Sequence, residues 1–186
     1  VPEAFRDADK VQEVLNLEMT YPSVVLYCVV DRDALPSGTL PIEMMADNPD
    51  ALDEKEVTMY AFSITDPSIC GADEHVVMAI GPSLKEWPHP EEQEQWGARY
   101  MEQKEAEKSR MLHVLDSHYP GFASKVRLAV LGTPTTIERF TMKEGGAVAG
   151  PKQAMGKDLL KRQRAVGAWA SLLICGESTV MGTGSP

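Results

Sequence analysis

The chain of 186 residues has little cysteine, few aromatic residues and no long hydrophobic run. Its three cysteines, Cys28, Cys70 and Cys175, are an odd number and lie far apart. That pattern excludes a disulfide framework and predicts buried free thiols in a reducing compartment. The longest apolar stretches, residues 24–30 and 165–175, are shorter than the roughly 18 to 20 residues that cross a bilayer. Peripheral membrane contact stays open.

Metal-binding and nucleic-acid-binding patterns are missing as well. The four histidines show no zinc-type spacing with the cysteines, so we expect no metal site. The net charge of −10 argues against nucleic acid as the main partner. Residues 1–118 carry 24 acidic and 9 basic side chains, whereas residues 119–186 carry 4 and 9. The basic part is compatible with a phosphate-bearing ligand, an acidic partner surface or a merely solvated face.

The dinucleotide-binding motif GxGxxG is absent, and the chain begins with Val1 and no signal peptide. We therefore expect a processed product or a piece of a longer protein. Its expected location is an intracellular, reducing compartment, either cytoplasmic or plastid-like, with membrane association left open.

The patterns that are present predict a mixed α/β (α+β) fold. Residues 91–118 lack proline and are rich in good helix formers, which predicts one long helix. We expect a largely antiparallel sheet in residues 1–131, backed by that helix, and a separate C-terminal segment over residues 132–186. Proline and acidic residues predict an irregular excursion over residues 34–56. The predicted strands cover residues 23–30, 56–65, 75–80 and 125–131. The strand over 23–30 is expected to be buried, and the strand over 56–65, which is largely apolar on both sides, is expected to be covered on both faces. Further helices cover residues 4–18 and 157–169.

The last fifteen residues, LLICGESTVMGTGSP, combine a strand, an acidic residue and glycine turns. The strand ends at Glu177, and a second glycine turn follows at Gly182, Thr183 and Gly184. A carboxylate after a strand can accept hydrogen bonds from ribose or ribityl hydroxyls, and glycines let backbone N–H groups approach a phosphate or ring carbonyl. Read alone, the run is equally typical of an ordinary strand and turn.

Three upstream blocks precede this run in a fixed order: ITDPSICGADEHV at residues 64–76, YPGFASKVRLAVLGTPTTIERF at residues 119–140 and GGAVAGP at residues 145–151. With them, nearly the whole chain resembles the C-terminal half of the phytoene desaturase and carotenoid isomerase type of FAD oxidoreductases, which includes retinol saturase-like enzymes. In that family the first block belongs to the substrate-domain sheet.

The resemblance implies a set of cofactor-binding residues. Gly176, Glu177 and Ser178 would lie near the ribityl or diphosphate part of FAD, and Gly182, Thr183 and Gly184 beside the flavin ring. Relatives often have Asp at the position of Glu177, which is one methylene longer. No catalytic acid or base is required, because the flavin carries the chemistry.

Arg139, within the TIERF sequence, is the other residue singled out. It either faces the cofactor or substrate cavity, or orients its loop through a salt bridge with Glu138 or Glu144. Residues 133–135 are expected to shape a turn.

The implied function is part of a FAD-dependent oxidoreductase that desaturates or isomerises a polyene lipid. Residues 132–186 would form the C-terminal edge of an incomplete Rossmann-type FAD domain. FAD would then require a complementary N-terminal segment or a second chain that carries the dinucleotide motif. The alternative is a non-catalytic family remnant that serves as a structural or pigment-contacting subunit of a larger assembly. Whether this chain is an enzyme stays open at this point.

Overall fold

The computed structural model describes residues 8–46, 50, 56–152, 163–166 and 173–179. The chain forms two compact units, one of residues 22–146 and one of residues 1–21 with 147–186. In its described part the fold combines a five-stranded antiparallel sheet with four α-helices. This confirms the predicted α+β class with a largely antiparallel sheet and a long helix.

The sheet lies in the larger unit and has the order β2-β3-β4-β1-β5. Its central strand β1 pairs antiparallel with β4 on one side and β5 on the other. The predicted strands at 23–30, 75–80 and 125–131 are confirmed. The strands are β1 Ser23–Asp31, β2 Ile42–Met45, β3 Val57–Tyr60, β4 Glu74–Pro82 and β5 Val126–Gly132.

The predicted strand over residues 56–65 is wrong in its second half, since a short helix, α2 (Phe62–Thr65), replaces it. Ser63 supplies the reason. Its Oγ lies 2.8 Å from His75 Nδ1 and accepts the backbone N–H of Val76 at 3.0 Å. A side chain that takes a backbone donor competes with the sheet ladder. The segment over residues 34–56, which was predicted to be irregular, contains an edge strand, β2. This strand places the buried Met45 in the core.

The long helix α3 (Gln93–His118) covers one face of the sheet, which we call the covered face. Met111 and Leu115 of α3 are fully buried there, one helical turn apart. They pack in one cluster with Leu26, Met59, Val77, Leu131 and Phe122. Burial of this apolar surface is the main driving force for the larger unit.

The opposite side of the sheet, the open face, is apolar but largely uncovered. Its central row runs across all five strands, because Tyr27 pairs with both Met78 and Val130, Met78 pairs with Tyr60, and Tyr60 pairs with Ile42. Tyr27 and Val130 are 50% and 52% exposed. The prediction of a buried strand over residues 23–30 is therefore wrong for the side chains on this face, of which Tyr27 is half exposed. The neighbouring rows contribute Val25, Ile80, Val29, Val76 and Leu128.

A β-bulge ends the open face at Arg127. Val29 pairs with Leu128 but Val30 pairs with Val126, so Arg127 is the extra residue. Its guanidinium donates hydrogen bonds to Asp31 and Glu74 at 2.6 Å and to Asp73 at 2.8 Å. These carboxylates raise the pKa of Arg127, and the guanidinium lowers the pKa of Asp73. The apolar rows thus end at a charged border.

The helix α4 (Pro134–Thr141) follows β5 directly. The buried Thr133 caps it, because its Oγ1 accepts the N–H of Thr136 at 3.2 Å, and Pro134 occupies the first turn. Tyr100 of α3 hydrogen-bonds Thr133 at 3.0 Å. Residues 133–135 therefore begin a helix rather than shape a simple turn.

The smaller unit begins with α1 (Ala8–Leu15), which confirms the centre of the helix predicted over 4–18. Met19 bridges Pro151, and Lys152 forms an ion pair with Glu18 at 2.5 Å. Of the helix predicted over 157–169 only residues 163–166 are described; they are not helical, so the prediction is wrong there, and the rest lies outside the described residues. Among the helices that the structure describes, none has the length and apolarity of a membrane span.

Candidate functional site

A tight turn presents three of the predicted cofactor-binding residues. Gly176 has φ +128°, and its carbonyl accepts hydrogen bonds from the N–H and the Oγ1 of Thr179 at 3.0 and 2.8 Å. The turn carries Glu177 and Ser178, both half-buried, at its tip. The other three predicted residues, Gly182, Thr183 and Gly184, lie outside the described residues.

The glycine-rich stretch at residues 145–151 reaches this turn through Gly150. A Cβ at Gly150 would lie 3.1 Å from Ser178 Oγ and 3.5 Å from Glu177 Cγ, and the residue has φ +66°. Only glycine meets both conditions without strain. Two of the sequence blocks that carry the family resemblance thus meet within the smaller unit.

The chain before the turn pairs with residues 163–166. Leu173 bridges Val166 antiparallel, Ile174 N donates to Ala165 O at 2.7 Å, and Gln163 N donates to Ser178 O at 3.2 Å. Among the described residues the predicted closing strand is therefore only an isolated bridge at Leu173, and Glu177 lies in the turn that follows it. An acceptor at a glycine turn is the chemistry that binds a sugar hydroxyl.

The three cysteines are free, but only Cys28 is buried. Burial raises the pKa of the Cys28 thiol to about 12. Cys70 is half-buried and Cys175 is exposed, so the prediction of buried thiols is wrong for these two.

Arg139 lies near the end of α4, where its guanidinium carbon is 5.8 Å from the centre of the Phe140 ring. Among the described residues Arg139 forms no ion pair with Glu138 or Glu144, so the predicted loop-orienting salt bridge is wrong; Glu138 binds His89 Nδ1 at 3.0 Å instead. The hydrogen bond that His89 donates to the Glu138 carboxylate raises the pKa of His89. Arg139 borders a cleft of about 300 Å³ that these two residues also line. Its role toward a cofactor or substrate stays a prediction.

The open face is a further candidate surface, which the sequence did not predict. Neighbouring strands lie about 4.8 Å apart and successive rows about 6.8 Å apart, so the five strands span about 19 Å and three apolar rows about 14 Å. The apolar rows bring two phenol hydroxyls, of Tyr27 and Tyr60, among hydrocarbon groups. β1 is apolar at both odd and even positions, which is typical of a strand covered on both faces, so the sequence pattern does not indicate the exposed face.

Groups of three or more His, Cys, Asp or Glu residues arranged for a metal ion are absent from the part of the chain that the structure describes. Comparison of the chain with protein-family models and with curated proteins finds no match.

Proposed function

We propose that this chain is the substrate-side part of a flavin-dependent oxidoreductase that desaturates or isomerises a polyene lipid. The open face is the observation that carries the proposal. It would form the apolar wall against which the polyene lies, and burial of apolar surface would supply the binding energy. The sequence resemblance supplies the class of reaction.

The geometry of the open face supports an extended apolar ligand. Val25, Tyr27 and Val29 lie in successive rows along β1, with partners from β4 and β5 beside each of them. Half-exposed hydrocarbon groups follow one another along each strand and across neighbouring strands. Together they offer an extended apolar contact surface. The side chains of these rows carry no carboxylate, amine or imidazole, so the wall itself supplies no acid or base.

The smaller unit would contribute to holding FAD. Glu177 would accept hydrogen bonds from the sugar-alcohol hydroxyls, while Gly176, at which a Cβ would meet nothing within 4 Å, would allow the cofactor to approach the backbone. FAD supplies hydride or electron transfer when bound. The dinucleotide motif would have to come from another segment or chain.

The width of the open face favours a second candidate function. About 19 Å of width exceeds what one polyene chain covers, and a broad flat apolar surface is also typical of a contact between subunits. The alternative is therefore a non-catalytic subunit whose open face binds another protein.

Binding of all-trans-retinol, a fluorescent polyene, tests the primary function. Wild-type protein should enhance retinol fluorescence saturably, and Val130→Asp should weaken binding at least tenfold because it places a charge among the apolar rows. Met101→Asp is the matched control, since Met101 is also 50% exposed but lies on α3. Equal affinity in both variants, or no binding by wild type, would overturn the proposal.

Flavin content separates the two candidates. The chain purified with its native partners should release a fluorescent flavin on denaturation, and Glu177→Ala should lower that content. Glu13→Ala, which removes an exposed carboxylate on α1 of the same unit, is the control. A flavin-free wild-type assembly would support the non-catalytic subunit instead.

A further inference from the structure

A cleft of about 250 Å³ lies between the long helix α3 and the short helix α4. Its volume is below that of most sites for whole organic molecules, so it suits one small group of a ligand. The proposed function does not use this cleft. Tyr100, Met101 and Lys104 of α3 line one wall, and Thr136, Arg139 and Phe140 of α4 line the other.

Two cations, Lys104 and Arg139, reach the cleft from opposite walls. Among the described residues neither forms an ion pair, and no described residue that lines the cleft carries a carboxylate. The carboxylates three residues after Lys104 and directly before Arg139, which belong to Glu107 and Glu138, bind other basic side chains. The two positive charges of the cleft are therefore available to an anionic ligand.

Each of these cations lies beside an aromatic ring. Lys104 Nζ is 5.8 Å from the centre of the Tyr100 ring, and the guanidinium carbon of Arg139 is 5.8 Å from the centre of the Phe140 ring. Contact with a ring face stabilises an exposed cation by only about 0.5–1 kcal/mol. An ion pair with a ligand would therefore not have to break a strong interaction within the protein.

Hydrogen bonds between hydroxyl groups join the two walls of the cleft. Tyr100 OH lies 3.0 Å from Oγ1 of the buried Thr133, which lies 3.1 Å from Thr136 Oγ1. When Tyr100 donates to Thr133 and Thr133 donates to Thr136, the hydroxyl proton of Thr136 is left to donate to a ligand. Because these bonds fix α3 against α4 before a ligand arrives, binding costs less ordering entropy.

Apolar side chains border the two cations. Met101 is 50% exposed on α3, and Phe140 is 78% exposed on α4. A ligand that places an anionic group between Lys104 and Arg139 would meet these hydrocarbon surfaces with its remaining part. A bare inorganic anion would leave them uncovered.

We propose that this cleft binds the phosphate group of a phosphate monoester whose organic part is apolar. Such a group carries a charge of about −1.5 to −2 at pH 7 and three acceptor oxygens, which matches two cations and one hydroxyl donor. Arg139 would pair with two of the oxygens, Lys104 would act as a point charge, and Thr136 would donate to the remaining oxygen. A carboxylate, with a single charge, would leave one cation unmatched.

Calorimetric titration of the full chain at constant ionic strength tests the proposal, with phenyl phosphate and inorganic phosphate as probes. Phenyl phosphate should bind saturably and more tightly than inorganic phosphate. Lys104→Glu and Arg139→Glu should each weaken the binding of phenyl phosphate at least tenfold, because they reverse a charge on opposite walls. Neither side chain belongs to the hydrophobic core, and circular dichroism checks that both variants are folded.

Arg99→Glu is the control for the same change of net charge. Arg99 is exposed on α3, where its guanidinium carbon lies 4.4 Å from the centre of the Trp96 ring, and it does not line the cleft. At an ionic strength of about 0.15 M, exposed charges separated by more than about 8 Å are largely screened. The affinity of this variant for phenyl phosphate should stay within twofold of wild type.

Sedimentation with phosphatidylcholine vesicles, with and without phosphatidate, distinguishes two sources of the phosphate. Binding that requires phosphatidate and is lost in Arg139→Glu would identify a lipid headgroup, whereas binding of phenyl phosphate alone would identify a soluble ester. The proposal is overturned if neither phenyl phosphate nor phosphatidate vesicles bind saturably, or if inorganic phosphate binds saturably with the affinity of phenyl phosphate. It is also overturned if Arg99→Glu weakens binding as much as Arg139→Glu does.

Discussion

The carboxylate of Glu107, fully buried on α3, accepts a hydrogen bond from Arg110 Nε at 2.9 Å. Lys85 donates to its other oxygen. Burial alone would raise the pKa of Glu107, but the hydrogen bonds from Lys85 and Arg110 outweigh burial and lower it. Glu107 therefore keeps an ionised carboxylate on the buried side of α3.

Replacing Glu107 by Ala should destabilise the larger unit by about 1.5–3 kcal/mol, because Arg110, which is 21% exposed, would lose a charged hydrogen-bond partner, whereas Lys85, which is 43% exposed, can be solvated by water. Urea unfolding measures the change. Because the folded pKa is depressed, this stabilisation is present above the unfolded value of about 4.3 and is lost as the pH falls through the folded pKa. Glu105→Ala, which removes a half-exposed carboxylate from the same helix, should cost less than about 1 kcal/mol. Equal effects of the two substitutions would contradict the assignment.

Adjacent glycines offer a test of backbone geometry. Gly145 and Gly146 have φ +62° and +65°, but only at Gly146 would a Cβ lie 2.5 Å from the carbonyl oxygen of Pro134. Gly145→Ala should cost about 1–2 kcal/mol from the left-handed conformation alone. Gly146→Ala should cost about 1–3 kcal/mol more, because the Pro134 backbone has to move. Thermal unfolding of both variants would reveal the difference, and similar melting temperatures would argue against this packing.

Two leucines of β5 report which face of the sheet is covered. Leu131 is 2% exposed, whereas Leu128 is 56% exposed on the open face. Leu131→Ala should cost about 2–5 kcal/mol in the free energy of unfolding, and Leu128→Ala less than about 1 kcal/mol. A larger effect at Leu128 would mean that the helix covers the other face.

The His89–Glu138 pair predicts a pH-dependent contribution to stability. Since Glu138 raises the pKa of His89, the stabilisation is full below the unfolded value of about 6.5 and is lost as the pH rises through the folded pKa. His89 is about half exposed, so the effect should not exceed about 1 kcal/mol. His89→Gln should therefore lose more stability at pH 5.5 than at pH 8.5 in chemical denaturation. A pH-independent loss would refute the ion pair.

Cysteine labelling should distinguish the exposed thiol of Cys175 from the buried thiol of Cys28. In native protein at pH 8, Cys175 should react rapidly with an aromatic disulfide reagent, because it is exposed. Cys28 should react only at the rate of unfolding, since it is buried and its thiol has a pKa of about 12. Mass spectrometry of the time course identifies each site, and early modification of Cys28 would be inconsistent with the covered face.

Local patterns were enough to predict the long helix and three of the five strands. Residues 93–118 form a helix because good helix formers carry buried side chains at helical spacing, and that information is local. The helical turn at Ser63 was not predictable in this way, since it depends on a contact with His75, twelve residues away. The four-residue strand β2 depends equally on a distant partner, β3.

In the candidate sites, too, features that depend on nearby residues were predictable, and features that depend on distant residues were not. The turn at Gly176 follows from its glycine and the residues around it, so the sequence placed Glu177 at a turn correctly. Exposure of Tyr27 could not be deduced from a valine-rich strand, because it depends on how many layers cover the sheet. The cleft at Lys104 and Arg139 joins two helices from different parts of the chain, and no local pattern marks it.

The bulge at Arg127 gives the open face two unlike ends. The charged border of Arg127, Asp31 and Glu74 lies beyond the row of Val29 and Leu128. At the other end, β1 and β4 finish at the pair of Ser23 and Pro82, which carries no charge. A long molecule with one oxygenated terminus and one hydrocarbon terminus would therefore meet different chemistry at each end. One end of the open face is charged and the other is not. It would therefore bind such a molecule in one orientation along the strands.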